Sequence, residues 1–426
     1  MNIREYADKV WSGESDDSIA NTGTGGKGVI DIADGLGWKP GFGNVIAFRT
    51  RGELILFDTG NKAYAGNLHA RIREWTSDPL SLAFYSHGHV DHVMGMDPFD
   101  AEDGPRAQVV AHENVRDRFD RYALTAGYNS VINQRQFQIP DLRWPTEYRH
   151  PDVTFRDALT VTRGDLTFEL FHAKGETDDA AVAYVPEHRL LLPGDLFIWL
   201  APNCGNPQKV QRYPREWAHA LRRMAALGAE IMMPSHGAPI FGADRIEQAL
   251  LETAEWLESI VDQTLGLLNE GRRLDEIVHA VTPPAHLADR VYLQAKYDEP
   301  EFIVRNLWRM YGGWYDGNPA HLKPAPDAAV ARAVADLAGG AAKVADAARR
   351  AAAGADLRLA AHLAEMAVQA DPQDSGLHEA RAEVYAARAA AEPSLMATGV
   401  FKWAADESRR AAGGEATPST IPGLIA

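Results

Sequence analysis

The sequence is poor in cysteine, in long hydrophobic runs and in positive charge. A single cysteine, Cys204, occurs among 426 residues, so no disulfide can form within one chain and nothing points to an oxidising compartment. No run approaches the roughly 20 apolar residues of a membrane-spanning helix. The N-terminal segment MNIREYADKVW also has no apolar core of signal-peptide length. We therefore expect a soluble, cytoplasmic protein without a membrane partner.

The balance of charge disfavours another class of partner. Lysine and arginine total 43 residues against 59 aspartates and glutamates, which gives a formal net charge of −16. Because nucleic-acid-binding proteins neutralise phosphates with clustered lysine and arginine, we expect no nucleic-acid partner. A small anionic substrate stays open, since a bound metal ion can dominate the local field.

Two regions with different patterns meet near residue 245, as expected for a chain too long for one ordinary core. Before that point, apolar runs typical of strands alternate with helical patterns such as PREWAHALRRMAALG. The strand-like runs are VIAFRT, ELILFDTG, LAFYSHG, QVVAHEN, LTFELFHA, AVAYVP, RLLLPGD and IMMPSHG. Several are too continuously apolar for a sheet with one exposed face, which indicates burial on both faces. We predict an α/β domain over residues 1–245.

Helical patterns replace the strand signals in the second region. Six apolar residues fall on one helical face: Ile246, Leu250, Leu257, Val261, Leu265 and Leu268. The stretch 326–412 is rich in alanine and arginine and predicts helices throughout. Within it, RLAAHLAEMAVQADPQDSGLHEARAEVYAARA predicts a helix, an Asp-Pro break and a second helix, resembling one tetratricopeptide hairpin. We predict an all-helical domain over residues 246–426.

The most informative stretch is FYSHGHVDHVMG (84–95), in which an apolar run ends in three histidines and an aspartate. Imidazole and carboxylate groups are the ligand types for Zn, Fe or Mn. A loop can turn two such residues toward one metal ion and the next two toward a second ion nearby. The spacing therefore predicts that His87 and His89 bind one metal, and that Asp91 and His92 bind the other. A polar loop with surface histidines is the alternative interpretation.

SHGHVDH resembles the signature of the metallo-β-lactamase superfamily, and further pieces follow in the superfamily's order. LILFDTG, with Asp58, is similar to the strand and turn that precede the signature. LLLPGDLFIW provides Asp195 where the superfamily has its metal-bridging carboxylate, and MMPSHGAPI provides His236 where the last ligand lies. The resemblance implies an αββα sandwich and metal-assisted hydrolysis by a metal-bound hydroxide. We expect Asp91 and Asp195 to act in catalysis as well as in metal binding.

One ligand position departs from the pattern, because the superfamily usually has Gly-His-Thr there. This chain has HAKGETDDAAV, so we predict Glu176 as the ligand, with Asp178 and Asp179 as alternatives and His172 close by. Three carboxylates facing two divalent ions leave a charge of about +1 before hydroxide binds, one unit lower than with a histidine. Such a site suits a singly charged or neutral substrate better than a phosphate monoester. Mn or Fe also becomes an alternative to Zn.

Glutamate in this ligand set is a feature of the alkylsulfatase-like branch of the superfamily. GGWYDGNPAHL (312–322) resembles the segment that opens the helical dimerisation domain of those enzymes, and LAEMAVQADP resembles the hairpins of that domain. The resemblance covers about residues 40–412 and implies a homodimer joined through the helical domain. Helices that cap the first domain within one chain are the alternative. The longer enzymes use glutamate as the bridging carboxylate, so Asp195 puts a long-chain detergent substrate in doubt.

Polar residues in two segments are candidate substrate contacts. The loop APNCGNPQKVQRYPREW follows Asp195 and should border the metal site. Its polar members are Asn203, Asn206, Lys209 and Arg212. Arg212 is the best candidate, because arginine recognises sulfate oxygens through directed hydrogen bonds. A solvated loop that caps the following helix is the alternative.

The segment YNSVINQRQF offers further candidates, which are Tyr128, Asn129 and Arg135. His112 and His321 are candidate general acids for a leaving group. A lone histidine near a strand end is more often a packing or capping residue, so neither is included among the predicted catalytic residues.

These residues together predict a metal-dependent hydrolase of sulfate esters, acting on a small-molecule ester with two divalent metal ions, zinc first. Hydrolysis of a carboxylic ester, lactone or thioester on the same metals is one alternative. An iron-dependent redox enzyme is a second, because a carboxylate-rich site holding iron can carry out oxygen chemistry. A non-catalytic scaffold built on the helical hairpin is a third.

Overall fold

The computed structural model describes residues 2–16 and 28–415, which contain thirteen strands, sixteen α-helices and five short 3-10 helices. The strands are β1 (Ile30–Ala33), β2 (Leu36–Lys39), β3 (Val45–Thr50), β4 (Glu53–Phe57), β5 (Leu80–Phe84), β6 (Gln108–His112), β7 (Val153–Phe155), β8 (Ala158–Arg163), β9 (Leu166–His172), β10 (Ala181–Val185), β11 (Leu190–Leu192), β12 (Ile231–Met232) and β13 (Ile240–Phe241). The helices of the first region are α1 (Ile3–Ser12), α2 (Ala65–Trp75), α3 (Val90–Val93), α4 (Asp97–Asp100), α5 (Asn114–Leu124), α6 (Ala126–Phe137) and α7 (Pro214–Ala225). Those of the second are α8 (Ala243–Asn269), α9 (Leu274–Ala280), α10 (Pro300–Gly312), α11 (Pro319–Leu322), α12 (Asp327–Ala338), α13 (Ala341–Ala353), α14 (Leu357–Ala370), α15 (Ser375–Ala391) and α16 (Leu395–Ala411).

Two mixed sheets form the first region. The seven-stranded sheet runs from β1 to β7 in chain order, with antiparallel pairing up to β4 and parallel pairing from β4 to β7. The six-stranded sheet has the order β13-β12-β11-β10-β9-β8 and is antiparallel except between β11 and β12. Parallel neighbours send their carboxyl ends to one edge, which is where polar loops can converge.

Successive side chains of a strand point to opposite faces of its sheet. The two sheets pack face to face because the side chains on their facing surfaces are apolar. Phe48 and Phe84 of the first sheet contact Phe168 of the second, with ring centroids 5.1 and 4.9 Å apart. The opposite face of the first sheet packs against α2 and α5, for example through Ile72 and Phe119. Trp217 of α7 covers the second sheet. The predicted αββα sandwich is therefore confirmed.

A helical region follows the sandwich, as predicted. In α8 the predicted apolar stripe is buried, with Ile246, Leu250 and Leu257 inside. Small residues line the contacts between the later helices. The residues that α14 buries, for example, are all alanines. α14 and α15 flank the Asp-Pro break and form the predicted hairpin. The division at residue 245 stays a prediction, and the core of the sandwich continues through α8 and α10 as far as Leu307.

Among the contacts between the helical region and the loops and helices beside the sandwich, two show how closely these parts pack. Gln138 Nε2, just after α6, donates to the carbonyl of Gly399 in α16 at 2.7 Å. A Cβ atom at Gly399 would lie 2.3 Å from the carbonyl oxygen of Gln136, so only glycine allows this approach. Before α10, the buried carboxylate of Asp298 accepts the backbone N–H of Gly205. Within the described ranges, no helix combines the length and apolar character needed to cross a bilayer.

Candidate metal centre

The predicted ligands lie where strands end. His87 and His89 follow β5, and Asp91 and His92 are in the short helix α3 immediately after them. The other three come from later in the chain: Glu176 lies between β9 and β10, Asp195 follows β11, and His236 follows β12. The sequence folds this way because strands buried on both faces must place their polar residues in the loops beyond their ends.

The ligand atoms of these residues gather into two groups, each of which could hold a metal ion. One group is His87, His89, Glu176 and Asp195, and the other is Asp91, His92 and His236. Within each group the atoms lie within 4.8 Å of one another. The carboxylate of Asp195 faces both groups, since its Oδ2 is 3.5 Å from His92 Nε2 and 3.3 Å from His236 Nε2. The grouping coincides with the predicted ligand assignment.

The residues present fit divalent cations. His92 Nε2 and Asp195 Oδ1 are buried and have no hydrogen-bond partner among the described residues. Buried polar atoms are normally satisfied, so an ion is a natural partner for both. Burial and the neighbouring His92 lower the pKa of His87 to about 4, which keeps its imidazole neutral and able to coordinate. Four imidazoles and three carboxylates suit Zn, Mn or Fe.

Asp58 orients His92, a member of the second ligand group, by a hydrogen bond to its ring. Its carboxylate accepts hydrogen bonds from the Ser86 backbone N–H, the Ser86 and Ser235 hydroxyls and His92 Nδ1, at 2.7 to 3.0 Å. Asp58 sits in the left-handed region with φ of 60°, a conformation that is tolerated at functional sites. Because Nδ1 of His92 donates to Asp58, Nε2 is free to face Asp91 and Asp195.

His236 is oriented in the same manner by backbone. Its Nδ1 donates to the carbonyl of Phe42, which directs Nε2 toward Asp91 Oδ2 at 3.5 Å. The loop that provides this carbonyl lies against Asp91, because a Cβ at Gly43 would come within 2.2 Å of the Asp91 carbonyl oxygen. Glycine at position 43 is therefore required for the loop to reach the histidine.

The alternatives to Glu176 are engaged elsewhere. Asp179 accepts hydrogen bonds from Arg118 Nε at 2.7 Å and from the Gly88 backbone N–H at 3.0 Å. Asp178 also pairs with Arg118. Nε2 of His172 lies 2.9 Å from the carbonyl oxygen of Asp178. These residues instead support the loop that carries His87 and His89. Glu176 is therefore the carboxylate of this segment that joins the cluster.

Glu176 is shared between the cluster and a cation. Its Oε1 lies 3.9 Å from His89 Nδ1 and also pairs with Arg212 Nη1 and with Asn203 Nδ2. Burial, together with the nearby Asp195, raises the pKa of Glu176 to about 7, although Arg212 acts in the opposite direction. A buried glutamate of this kind is stabilised as an anion by cations beside it.

Five of the seven predicted ligands line a cleft whose empty volume, counted with the solvent at its mouth, is about 930 Å³. Its apolar wall includes Tyr122, Phe137, Trp144, Ile198 and Leu200. Its polar wall includes Asn133, Gln136, Asn203, Asn206, Lys209 and Arg212. A cleft with an apolar lining and a few convergent polar groups is typical of a site for a small organic ligand.

The structure separates the predicted substrate contacts into two sets. Asn203, Asn206 and Arg212 line the cleft, as the loop after Asp195 predicted. Tyr128, Asn129 and Arg135 are not among the residues that line it. Tyr128 is 63% exposed, Asn129 bonds to Thr125 in its own helix, and Arg135 donates to Gln208.

Helical periodicity of α6 explains the outcome for Tyr128 and Arg135. Asn129 lies one turn before Asn133 on the inward face and is instead bonded to Thr125. Asn133 and Gln136 are three residues apart and share the inward face, whereas Tyr128 and Arg135 point away from it. The 3.6-residue period, applied to YNSVINQRQF, is the signal that could have identified both. Lys209, named with the other polar members of the loop after Asp195, also lines the cleft.

The two candidate general acids lie outside the cleft lining. His112 stacks on His172, with ring centroids 3.8 Å apart and planes tilted by 15°. His321 is exposed in α11 and lies 2.5 Å from the carboxylate of Asp316. Both positions agree with the packing and capping interpretation.

Comparison with known proteins defines the class of this chain. Residues 38–236 match the model of the metallo-beta-lactamase superfamily, and residues 273–411 match the model of the alkyl sulfatase dimerisation domain. The chain therefore contains a region that matches the metallo-β-lactamase superfamily, followed by a region that matches the alkyl sulfatase dimerisation domain, and the resemblance predicted from its sequence is confirmed.

Individual relatives agree with that class. A linear primary-alkylsulfatase from Pseudomonas sp. (strain ATCC 19151) is 28% identical over 358 residues, covering 78% of this chain and 67% of the relative. An (R)-specific secondary-alkylsulfatase from Pseudomonas sp is 25% identical over 362 residues, covering 78% and 54%. This chain thus spans between about half and two thirds of the length of these relatives. The solved structure of the inverting sec-alkylsulfatase Pisa1 from Pseudomonas sp. shares the fold, with a TM-score of 0.81 at 20% identity over 93% of this chain and 67% of that one.

Proposed function

We propose that this protein is a metal-dependent hydrolase of sulfate esters. The observation that carries the proposal is Glu176, which lies in the candidate metal cluster and is also paired with Arg212 and Asn203 at the cleft. The alkylsulfatase relatives and the dimerisation domain support the same class of substrate. The predicted ligands, His87, His89, Asp91, His92, Glu176, Asp195 and His236, would hold two divalent ions.

The residues of the chain have separable roles in this proposal. When bound, the metal ions would lower the pKa of a water molecule and polarise an oxygen of the substrate. Asp195 faces both ligand groups and Asp91 faces His92 and His236, so these carboxylates would help to hold the ions. Arg212 and Asn203, already directed to this end of the cleft by Glu176, would bind sulfate oxygens. The apolar wall would hold the organic group and exclude water.

Charge favours a sulfate ester over a phosphate monoester. With three carboxylates, the metal cluster would carry one positive charge fewer than a cluster with histidine in place of Glu176. A sulfate monoester brings one negative charge, whereas a phosphate monoester brings about two near neutral pH. The weaker field of the cluster therefore matches the smaller charge.

We also propose that the protein forms a homodimer through its helical region. The matched dimerisation domain supports this assembly. Two large apolar side chains of that region are exposed in the single chain, Trp314 at 71% and Leu337 at 91%. Burial of such residues in a second copy would remove them from water.

Metal analysis combined with substrate turnover tests the proposed activity. The metal content of purified protein is measured first, and the loaded protein is then assayed for sulfate release from phenyl sulfate and hexyl sulfate. Phenyl acetate and phenyl phosphate serve as matched substrates with the same leaving group. We expect sulfate release to exceed phosphate release. A metal-replete protein that releases no sulfate, or that acts mainly on the acetate, would overturn the proposed substrate and leave the fold unaffected.

A further inference from the structure

We propose that Lys209 binds a negatively charged oxygen of the ligand, at an anion subsite on the α6 wall of the cleft. This subsite consists of Lys209, Asn133 and Gln136, and it is distinct from Arg212 and Glu176 at the metal end. The inference deepens the proposed function and rests on it for the identity of the ligand, although the subsite itself is argued from geometry.

The first support is the position of the ammonium group. Lys209 Nζ donates to Asn133 Oδ1 at 3.2 Å and lies 5.3 Å from the ring centroid of Trp144. All three residues line the cleft. The neutral amide and the aromatic face hold the ammonium in place without neutralising it, which leaves its charge available to a ligand.

The second support is the difference between the two cations of the cleft. Arg212 is paired with the carboxylate of Glu176. Lys209, by contrast, has no carboxylate within ion-pair distance anywhere in residues 2–16 and 28–415. Burial, and then the nearby Arg212, lower the pKa of Lys209 to about 7. A half-buried cation with no counter-ion is costly, and an incoming anion removes that cost.

The third support is an unpaired acceptor on Gln136, which lines the same cleft as the lysine. Gln136 Nε2 donates to the Tyr297 hydroxyl at 2.9 Å, while Gln136 Oε1 is buried and has no partner among the described residues. Gln136 lies one turn along α6 from Asn133. Lys209 is thus the group of the subsite that binds the anion, and the free amide oxygen of Gln136 suits a hydroxyl group or a water molecule that accompanies it.

The oxyanion has two possible sources in a sulfate ester. It is either an oxygen of the sulfate group itself or a second anionic group on the organic part of the substrate. Both present the same chemistry to Lys209, and they differ in their distance from the metal ligands.

Binding of two stable sulfonates to the metal-loaded protein, measured by calorimetry, separates these cases. Benzenesulfonate carries one anion, and 4-sulfobenzoate carries a second anion across the ring. Neither contains a sulfate ester, so neither is consumed. The variants are Lys209→Met and Lys209→Gln, with Lys209→Arg as a charge-preserving rescue. Lys343→Met, an exposed lysine of α13, is the control for loss of one positive charge.

We expect Lys209→Met and Lys209→Gln to weaken binding at least tenfold, and Lys209→Arg and Lys343→Met to stay within threefold of the wild type. Weakening of both sulfonates assigns the subsite to the sulfate group, and weakening of 4-sulfobenzoate alone assigns it to a second anion. Wild-type affinity for both sulfonates in both uncharged variants overturns the proposal, as does a wild-type protein that binds neither. Sulfate release from phenyl sulfate is measured in parallel. A protein that binds sulfonates through Lys209 but releases no sulfate refutes the proposed reaction and leaves the subsite standing.

Discussion

The replacement Asp58→Asn tests whether the second ligand group is a metal site whose His92 is oriented by Asp58. Three donors converge on Asp58 Oδ2: the hydroxyls of Ser86 and Ser235, at 2.8 and 2.7 Å, and His92 Nδ1, at 3.0 Å. Oδ1 accepts the backbone N–H of Ser86 at 2.7 Å, and this donor cannot reverse its direction. The new amide nitrogen must therefore take the place of Oδ2. Both hydroxyls can rotate in response, but His92 Nδ1 can only become an acceptor.

The consequence falls on the opposite side of the imidazole ring. With Nδ1 deprotonated, the proton of neutral His92 moves to Nε2, the atom that faces Asp91 and Asp195 at 3.4 and 3.5 Å. A protonated nitrogen cannot coordinate a metal ion. Loss of such an orienting carboxylate typically weakens metal binding 10–100-fold, which corresponds to about 1.4–2.8 kcal/mol. We expect a loss of that size at the group containing His92, with little change at the group containing His87.

The assay is titration of the metal-free protein with Zn²⁺ against a competing chelator, which resolves two binding steps. Asp31→Asn is the matched control, because Asp31 accepts a single bond from Trp75 Nε1 at 2.7 Å far from the cluster. Circular dichroism establishes that each variant is folded. The reasoning about the tautomer fails if folded Asp58→Asn binds both ions with wild-type affinity, or if both steps weaken equally.

Three further replacements address charge, pH and support. Glu176→His should raise the ratio of kcat/KM for phenyl phosphate over phenyl sulfate roughly tenfold, because it adds one unit of positive charge to the cluster; an unchanged ratio contradicts the charge argument. Burial raises the pKa of Asp298 to about 6, so the unfolded chain releases this proton first as pH rises from about 4 to 6 and the folded state loses stability. The variant Asp298→Asn cannot titrate at this position. The difference in free energy of unfolding, variant minus wild type, should therefore increase by about 2 kcal/mol between pH 4.5 and 7.5. Parallel pH profiles of the two proteins would contradict this. Arg118→Met leaves the carboxylate of Asp179 buried without its cation and should cost about 3–5 kcal/mol in denaturant unfolding. Arg156→Met, at an exposed ion pair, should cost far less, and equal effects would exclude a special role for Arg118.

The strands that sequence pattern predicted all have two neighbours in their sheet. All eight apolar runs correspond to strands, β3 to β6 and β9 to β12. Five strands gave no recognised signal, and four of them, β1, β7, β8 and β13, are the edges of the two sheets. An edge strand has one neighbour and is partly exposed, as the alternating burial of β8 shows, so its composition is less apolar. The fifth, β2, is only four residues long and contains a glycine.

Sequence reasoning also identified only part of the candidate site. The predicted ligand positions were accessible to sequence reasoning because they lie in loops that follow strands, in motifs that resemble those of the superfamily. The α6 wall of the cleft was not, because Asn133 and Gln136 reach it through tertiary packing of that helix. The support that Asp58 gives His92 depends on a bond spanning 34 residues, which no local pattern reveals.

The walls of the cleft belong almost entirely to the first region of the chain, but the helical region holds them in place. Gly205, in the loop between Asn203 and Asn206, is held by Asp298, and α6 lies directly against Gly399 of the last helix. Exchange of the sandwich alone, or of the helices alone, between relatives would therefore break two matched contacts. Gly399 would no longer face the α6 it fits, and Asp298 would no longer face the loop it binds. Engineers who wish to graft the metal centre onto another scaffold should transfer these two contacts with it. Over evolutionary time, the same dependence ties drift in the helical region to drift in the walls around the substrate.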